Sequence, residues 1–130
     1  MSRRVLTLGT FDIPHAGHAA FLNQCAAYGD VTVGVNSDDF VRRYKGAAPV
    51  YSERERMDLI RALGYAVLLN DGPGADLIDD FAPDLLAIGS DWLRKDYLGQ
   101  IGVPNPRFPI LFLPYTEGMS TSDIKRRLTQ

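Results

Sequence analysis

The chain is short of several things. Its 130 residues hold one cysteine, one tryptophan and two histidines. A single cysteine excludes an internal disulfide. Cys25 falls in an apolar helical pattern, where a buried, inert thiol is expected. Basic excess is also missing: 14 Lys and Arg stand against 16 Asp and Glu, for a formal charge of −2 and a pI of about 5.6. That argues against the basic face that nucleic-acid binding requires, so no nucleic-acid partner is expected. No apolar run approaches the ~20 residues of a membrane span, and no membrane insertion is expected. The first eleven residues, MSRRVLTLGTF, carry two arginines but no signal-peptide apolar core. A cytoplasmic location is expected. Internal repeats, low-complexity segments and linkers are absent, and the length suits a single domain over residues 1–130.

What is present is apolar. Hydrophobic residues make up 45% of the chain, enough for a core. Five short runs stand out: Val5–Leu8, Val31–Val35, Ala66–Leu69, Leu85–Ile88 and Ile110–Leu113. None alternates cleanly with polar residues, as expected of parallel strands covered on both faces. Helical patterns lie between them. His18, Phe21, Leu22 and Cys25 share one helix face, and Met57, Ile60 and Leu63 share another. Ser52 with Glu55 has the spacing of a capping box. GADLIDDFAP reads as a short helix stopped by Pro83, and STSDIKRRL as a last helix. Gly99 to Pro109 reads as a loop. Alternating strands and helices predict an α/β fold, a doubly wound five-stranded parallel sheet.

Both histidines lie in one stretch, GTFDIPHAGH, Gly9 to His18, with Asp12 three residues before the first. The stretch follows the first strand and opens a helix, so it sits at the C-terminal edge of the sheet, where open α/β sheets bind ligands. A helix N-terminus there is an anion site, and two imidazoles can donate to the same anion. Two other readings compete. His18 lies on an apolar face and would serve as a satisfied core histidine. Asp12, His15 and His18 could hold zinc, but no fourth ligand stands out. Phosphate binding ranks above the metal triad.

GTFDIPHAGH resembles the G-T-F-D-x-x-H-x-G-H signature of the cytidylyltransferases, within the H-x-G-H nucleotidyltransferase superfamily. At the other end YTEGMSTSDIKRRL, Tyr115 to Leu128, resembles the family's R-T-E-G-I-S-T-[ST] signature. In length and layout the chain is most similar to the bacterial glycerol-3-phosphate cytidylyltransferases. The resemblance implies a Rossmann-like nucleotidyltransferase fold. It also implies in-line attack of an acceptor phosphate on the α-phosphorus of a nucleoside triphosphate, with pyrophosphate released. The expected substrates are CTP and a phosphorylated alcohol, glycerol 3-phosphate first; the alternative is ATP with a sugar phosphate such as a heptose phosphate. Mg²⁺ is expected with the triphosphate, and a homodimer is expected.

By resemblance, His15 and His18 hold the triphosphate and steady charge at the α-phosphorus. Gly9, Thr10 and Phe11 form the phosphate-binding turn. Asp12 either braces that turn or lies close to the metal. Ser120, Thr121 and Ser122 cap the last helix and form a second phosphate cradle, with Thr116 nearby in the same signature. Lys45 is placed on a loop after the second strand, either closing over the phosphates as a catalytic lysine or standing as a surface lysine. Arg56 binds the acceptor's phosphate or braces the site. Asp91 and Trp92 match the family's G-D-D-W segment, with Ser90 in place of the first Asp; Trp92 packs near base or acceptor, or is a structural aromatic.

Two departures bear on the substrates. Tyr115 stands where the cytidylyltransferases have an arginine, and related sugar-phosphate adenylyltransferases lack that arginine while keeping the Ser-Thr pair. Gly64 stands where the family usually has another arginine, with Arg61 one helical turn earlier as a replacement. A nucleotide-binding module without turnover, and a metal-dependent hydrolase on Asp12, His15 and His18, are the readings from other classes.

Overall fold

The computed structural model describes residues 3–12, 16–93 and 95–114. Strand β1 (Arg4–Gly9) is followed by α1 (Ala16–Ala26), β2 (Asp30–Asn36), α2 (Asp38–Lys45), α3 (Glu53–Ala62) and β3 (Ala66–Asn70). Then come α4 (Ala75–Phe81), β4 (Leu85–Gly89), a 3-10 turn at Ser90–Trp92, α5 (Tyr97–Ile101) and β5 (Ile110–Leu113). The strands form one five-stranded sheet in the order β3-β2-β1-β4-β5, and all four pairings are parallel. This is an α/β, Rossmann-like doubly wound sheet.

Successive residues of β1 serve opposite faces, as a pleated strand requires. Val5 joins Val31, Val33 and Val35 of β2 under α1 and α3, where Phe21, Leu22, Cys25 and Ile60 complete a core. Leu6 and Leu8 turn the other way, to Leu86 and Ile88 of β4, Ile78 of α4 and Tyr97 and Ile101 of α5. Burial on both faces explains the unbroken apolar runs.

The capping box forms as its spacing predicts. Ser52 Oγ accepts from the Glu55 amide at 3.2 Å, and Glu55 Oε1 accepts from the Ser52 amide at 3.3 Å. The α4 helix stops before Pro83, with Ala82 in left-handed conformation at φ 51°, consistent with the steric bar on helical backbone before proline.

Four expectations need correction. Leu63 is 45% exposed, because it is the C-cap of α3 and the chain has already left the buried helix face. Lys45 lies on no loop: it is the last residue of α2, a helix capped by Ser37 and closed by Gly46. Gly99 to Ile101 belong to α5, started by Asp96, whose carboxylate accepts from the Gly99 amide. Strand β3 is covered only in part: Val67 packs against the first core and Asn70 is buried, but at the sheet edge Leu68 and Leu69 are left exposed. The segment read as a last helix lies outside the described residues.

Gly64 has a local reason. Its φ is +100° in the turn from α3 to β3, a conformation a branched side chain disfavours. Arg61, its expected replacement, is a surface residue paired with Asp58 at 3.0 Å.

Cys25 is fully buried, and burial pushes its thiol up to about 12. The thiolate is the reactive form, and at pH 8 the folded protein keeps the proton. A disulfide-type thiol reagent at pH 8 is expected to leave the native protein unmodified and to label one thiol after unfolding in urea. Labelling of native protein at the rate of a free thiol contradicts this packing.

Candidate active site

The chain runs from β1 outward through β2 to β3, then crosses to β4 on the other side of β1. The strand order reverses between β1 and β4, which opens a crevice at their C-terminal ends. A cleft of about 780 Å³ lies there, lined by Gly9 at the end of β1 and Gly89 at the end of β4. Of the residues singled out in the sequence, Gly9, Thr10, Phe11, His18, Lys45 and Trp92 line it.

The turn after β1 is built by packing. Phe11 has φ 53°, uncommon for a residue with a side chain. Its ring lies on Gly9 and edge-on to His18, with centroids 5.2 Å apart at 65°. A Cβ at Gly9 would stand 2.7 Å from the Phe11 ring. Gly9 therefore lets the ring close over the strand end. His18 is in the first turn of α1, buried, and lines the cleft. Both faces of the imidazole's task, packing and facing a ligand, are thus open to it. His15 lies outside the described residues.

Asp12 is buried and turned toward the chain. Its two carboxylate oxygens accept from the amides of Val50 and Tyr51 at 2.9 and 3.0 Å. These bonds brace the segment between α2 and α3 against the β1 turn.

Of the two roles expected of Arg56, reaching the acceptor and bracing the site, its contacts support the second. The side chain is fully buried. Nε donates to the Tyr51 carbonyl at 3.0 Å, and Nη1 donates to the carbonyls of Thr10 and Asn36, each at 2.7 Å. Nη2 pairs with Asp38 Oδ1 at 2.7 Å. A cation in the first turns of a helix opposes the dipole; four acceptors from four segments outweigh that cost. Arg56 is a brace behind the cleft.

Lys45 is exposed on the cleft rim, its ammonium 5.7 Å from the Tyr44 ring centre. Trp92 meets Tyr97 edge-on at 5.1 Å and packs against the second core while lining the cleft. Asp91 lies in the 3-10 turn after β4. Tyr115, Thr116, Ser120, Thr121 and Ser122 lie outside the described residues. Among the described residues no group of three His, Cys, Asp or Glu side chains is placed to hold a metal ion.

Among the lining residues that sequence reasoning missed, Asn36, Asn70 and Tyr44 are joined in one hydrogen-bonded series. Asn70 Nδ2 donates to Asn36 Oδ1 at 2.9 Å, and Asn36 Nδ2 donates to Thr10 Oγ1 at 3.1 Å. Thr10 Oγ1 in turn shares a hydrogen bond with the Tyr44 hydroxyl at 3.2 Å. A clue was present: the apolar strands DVTVGVN and AVLLN both end in asparagine, at the edge where ligands bind.

The family model described as cytidylyltransferase-like matches residues 6–127. This chain belongs to the cytidylyltransferase-like family. Among curated relatives, the bifunctional protein HldE of Helicobacter pylori (strain Shi470) is 38% identical over 129 residues, covering 95% of this chain. HldE of Campylobacter curvus is 37% identical over the same length, and HldE of Syntrophotalea carbinolica 34%. The chain spans only 27% of the length of the first of these. Among solved structures, a lipopolysaccharide core biosynthesis protein from Thermoplasma volcanium superposes with a TM-score of 0.68 at 23% identity, over 89% of this chain and all of that one. A protein of unknown function from Archaeoglobus fulgidus gives 0.66 at 18%, over 90% and 93%. These two likenesses establish the fold. Family membership makes the chain a nucleotidyltransferase.

Replacing Arg56 with methionine keeps much of the volume and removes all four bonds. The expected cost is about 3–5 kcal/mol, the scale for leaving a buried charge partner and carbonyls unpaired. Urea midpoints for wild type and Arg56→Met measure it. A change below about 1 kcal/mol, the size of an ordinary surface substitution, contradicts the bracing role.

Proposed function

We propose that this domain is an adenylyltransferase that moves AMP from ATP to a sugar phosphate, of the heptose phosphate kind, with release of pyrophosphate. The observation that carries the reaction class is the cleft at the reversal of strand order, where the Gly9–Phe11 turn and His18 come together. Two things favour ATP and a sugar phosphate over CTP and glycerol 3-phosphate. Tyr115 replaces the arginine found in cytidylyltransferases, and the curated relatives at 34–38% identity are HldE proteins.

In this reading the acceptor's phosphate oxygen attacks the α-phosphorus in line. The new P–O bond forms as the bond to pyrophosphate breaks. The protein's task is positioning and charge stabilisation. His15 and His18 donate to phosphate oxygens, and the positive end of the α1 dipole favours the same charge. Lys45 reaches over the phosphates from the rim. Ser120, Thr121, Ser122 and Thr116 supply the second cradle, and Asp91 and Trp92 border the nucleotide or acceptor. Magnesium bound with the triphosphate would neutralise part of its charge. The described side chains do not fit a protein-built cage for it, and Mg²⁺ commonly binds through substrate phosphates and water. A homodimer is part of the proposal; the exposed β3 edge, with Leu63, Leu68 and Leu69 close in sequence, is the surface offered for it. A cytoplasmic location is likewise proposed.

The test is pyrophosphate release from ATP or CTP with sugar 1-phosphates or glycerol 3-phosphate, in wild type and His18→Ala. ATP with a sugar 1-phosphate is expected to be fastest. His18→Ala is expected to lower kcat by about 10²–10³, the loss typical of one transition-state donor. A CTP preference with glycerol 3-phosphate overturns the substrate assignment. Near-normal kcat in folded His18→Ala leaves His18 a packing residue only.

A further inference from the structure

We propose that Asn36 and Asn70 are specificity residues that read hydroxyl groups of the acceptor, selecting a polyhydroxylated sugar phosphate over a short phosphorylated alcohol. The inference rests on the adenylyl-transfer reading above.

The two asparagines are a register pair, the last in the β2–β3 ladder. The pairs before it are Val35 with Leu69 and Gly34 with Leu68. An apolar pair would continue that series without a desolvation cost. Here Asn70 is only 3% exposed, and burying a carboxamide is unfavourable unless its groups find partners. The pair partners itself only in part. A carboxamide has two N–H donors and an acceptor oxygen with two lone pairs. Asn70 spends one N–H on Asn36, and Asn36 spends one on Thr10. Among the described residues, each amide keeps one N–H unspent and the Asn70 side-chain oxygen accepts nothing. Both residues line the cleft. Capacity for hydrogen bonding therefore remains on a nearly buried wall of the site.

The chemistry of that wall names its ligand. It is uncharged, and it offers both donors and an acceptor. A sugar hydroxyl is both donor and acceptor and matches it. A phosphate oxygen only accepts, and would meet the Asn70 carboxamide oxygen unfavourably. The bonded series Asn70, Asn36, Thr10 leads along the cleft from this wall to the turn after β1, where the proposed function puts the phosphates. An acceptor with its phosphate at Thr10 thus lays its hydroxyls toward Asn36 and Asn70. Glycerol 3-phosphate has two hydroxyls on a three-carbon chain and leaves part of the wall unpaired. Sites that bond a substrate hydroxyl discriminate strongly against analogues lacking it.

The test compares wild type with Asn70→Leu and Asn70→Ala. It measures kcat and KM for mannose 1-phosphate and glycerol 3-phosphate with ATP, together with ATP affinity by calorimetry and urea midpoints. The variants are expected to lose about tenfold or more in kcat/KM for the sugar phosphate, mainly through KM, with ATP affinity unchanged. The ratio of sugar phosphate to glycerol 3-phosphate use is expected to fall. Asn70→Ala decides the matter if Asn70→Leu does not fold. A folded variant with wild-type KM for the sugar phosphate overturns the inference and makes the pair a strand-end fastening; the adenylyl-transfer reading then stands. A wild-type protein that uses no sugar 1-phosphate overturns that reading, and this inference with it.

Discussion

One buried guanidinium holds the site together. Arg56 ties the end of β1 through Thr10, the end of β2 through Asn36, the start of α2 through Asp38, and the segment before α3 through Tyr51. The first three of these segments border the cleft on one side, and the fourth lies behind them. Without a common partner, each would present an unpaired backbone carbonyl or carboxylate beneath the site, at a cost of about 1–3 kcal/mol for each buried group. A single planar cation with donors fixed in a fork satisfies all of them at once. Asp12 works in the opposite sense, an anion accepting two amides from the same segment that Arg56 holds by its carbonyl. The segment between α2 and α3 is gripped from both sides.

This bracing lets the rest of the turn carry an unusual backbone. Phe11 keeps its positive φ because the ring is fixed between Gly9 and His18 while Thr10 is held by Arg56 behind it. The Thr10 hydroxyl is thereby presented at a set position, in a hydrogen-bonded series that includes Tyr44, Asn36 and Asn70. Strands, which are stiff and covered on both faces at the sheet's centre, supply the rigid platform. The cleft inherits its precision from them rather than from its loops.

Much of this was legible in the sequence. The five apolar runs locate the strands to within one residue at each end, because the doubly covered strands at the sheet's centre leave no alternation to confuse the reading. The capping box at Ser52 and the stop before Pro83 were local, and local chemistry decides them. Helix α2 escaped because DDFVRRYK buries a single residue, Val41, and so has no apolar stripe. Helix α5 is five residues long and contains a glycine. The exposure of β3 is a property of sheet order, which no single run encodes. For the site, GTFDIPHAGH announced itself by composition, and Gly9, Thr10, Phe11 and His18 do meet at the cleft. Bracing was one of two roles the sequence offered for Arg56, but its partners were not legible, because three of the four are backbone carbonyls, which carry no mark of residue type. The asparagine wall was hidden because two residues 34 positions apart meet only through β2–β3 pairing.

Phosphorus NMR of a reaction with ATP, magnesium and a sugar 1-phosphate tests the central claim most directly, since it sees every phosphorus at once. The account predicts a nucleoside diphosphate sugar, with its two coupled diester resonances, appearing in equal amount with pyrophosphate. Formation of ADP with a further phosphorylated sugar, of AMP with the sugar phosphate unchanged, or of no new phosphorus species would contradict it.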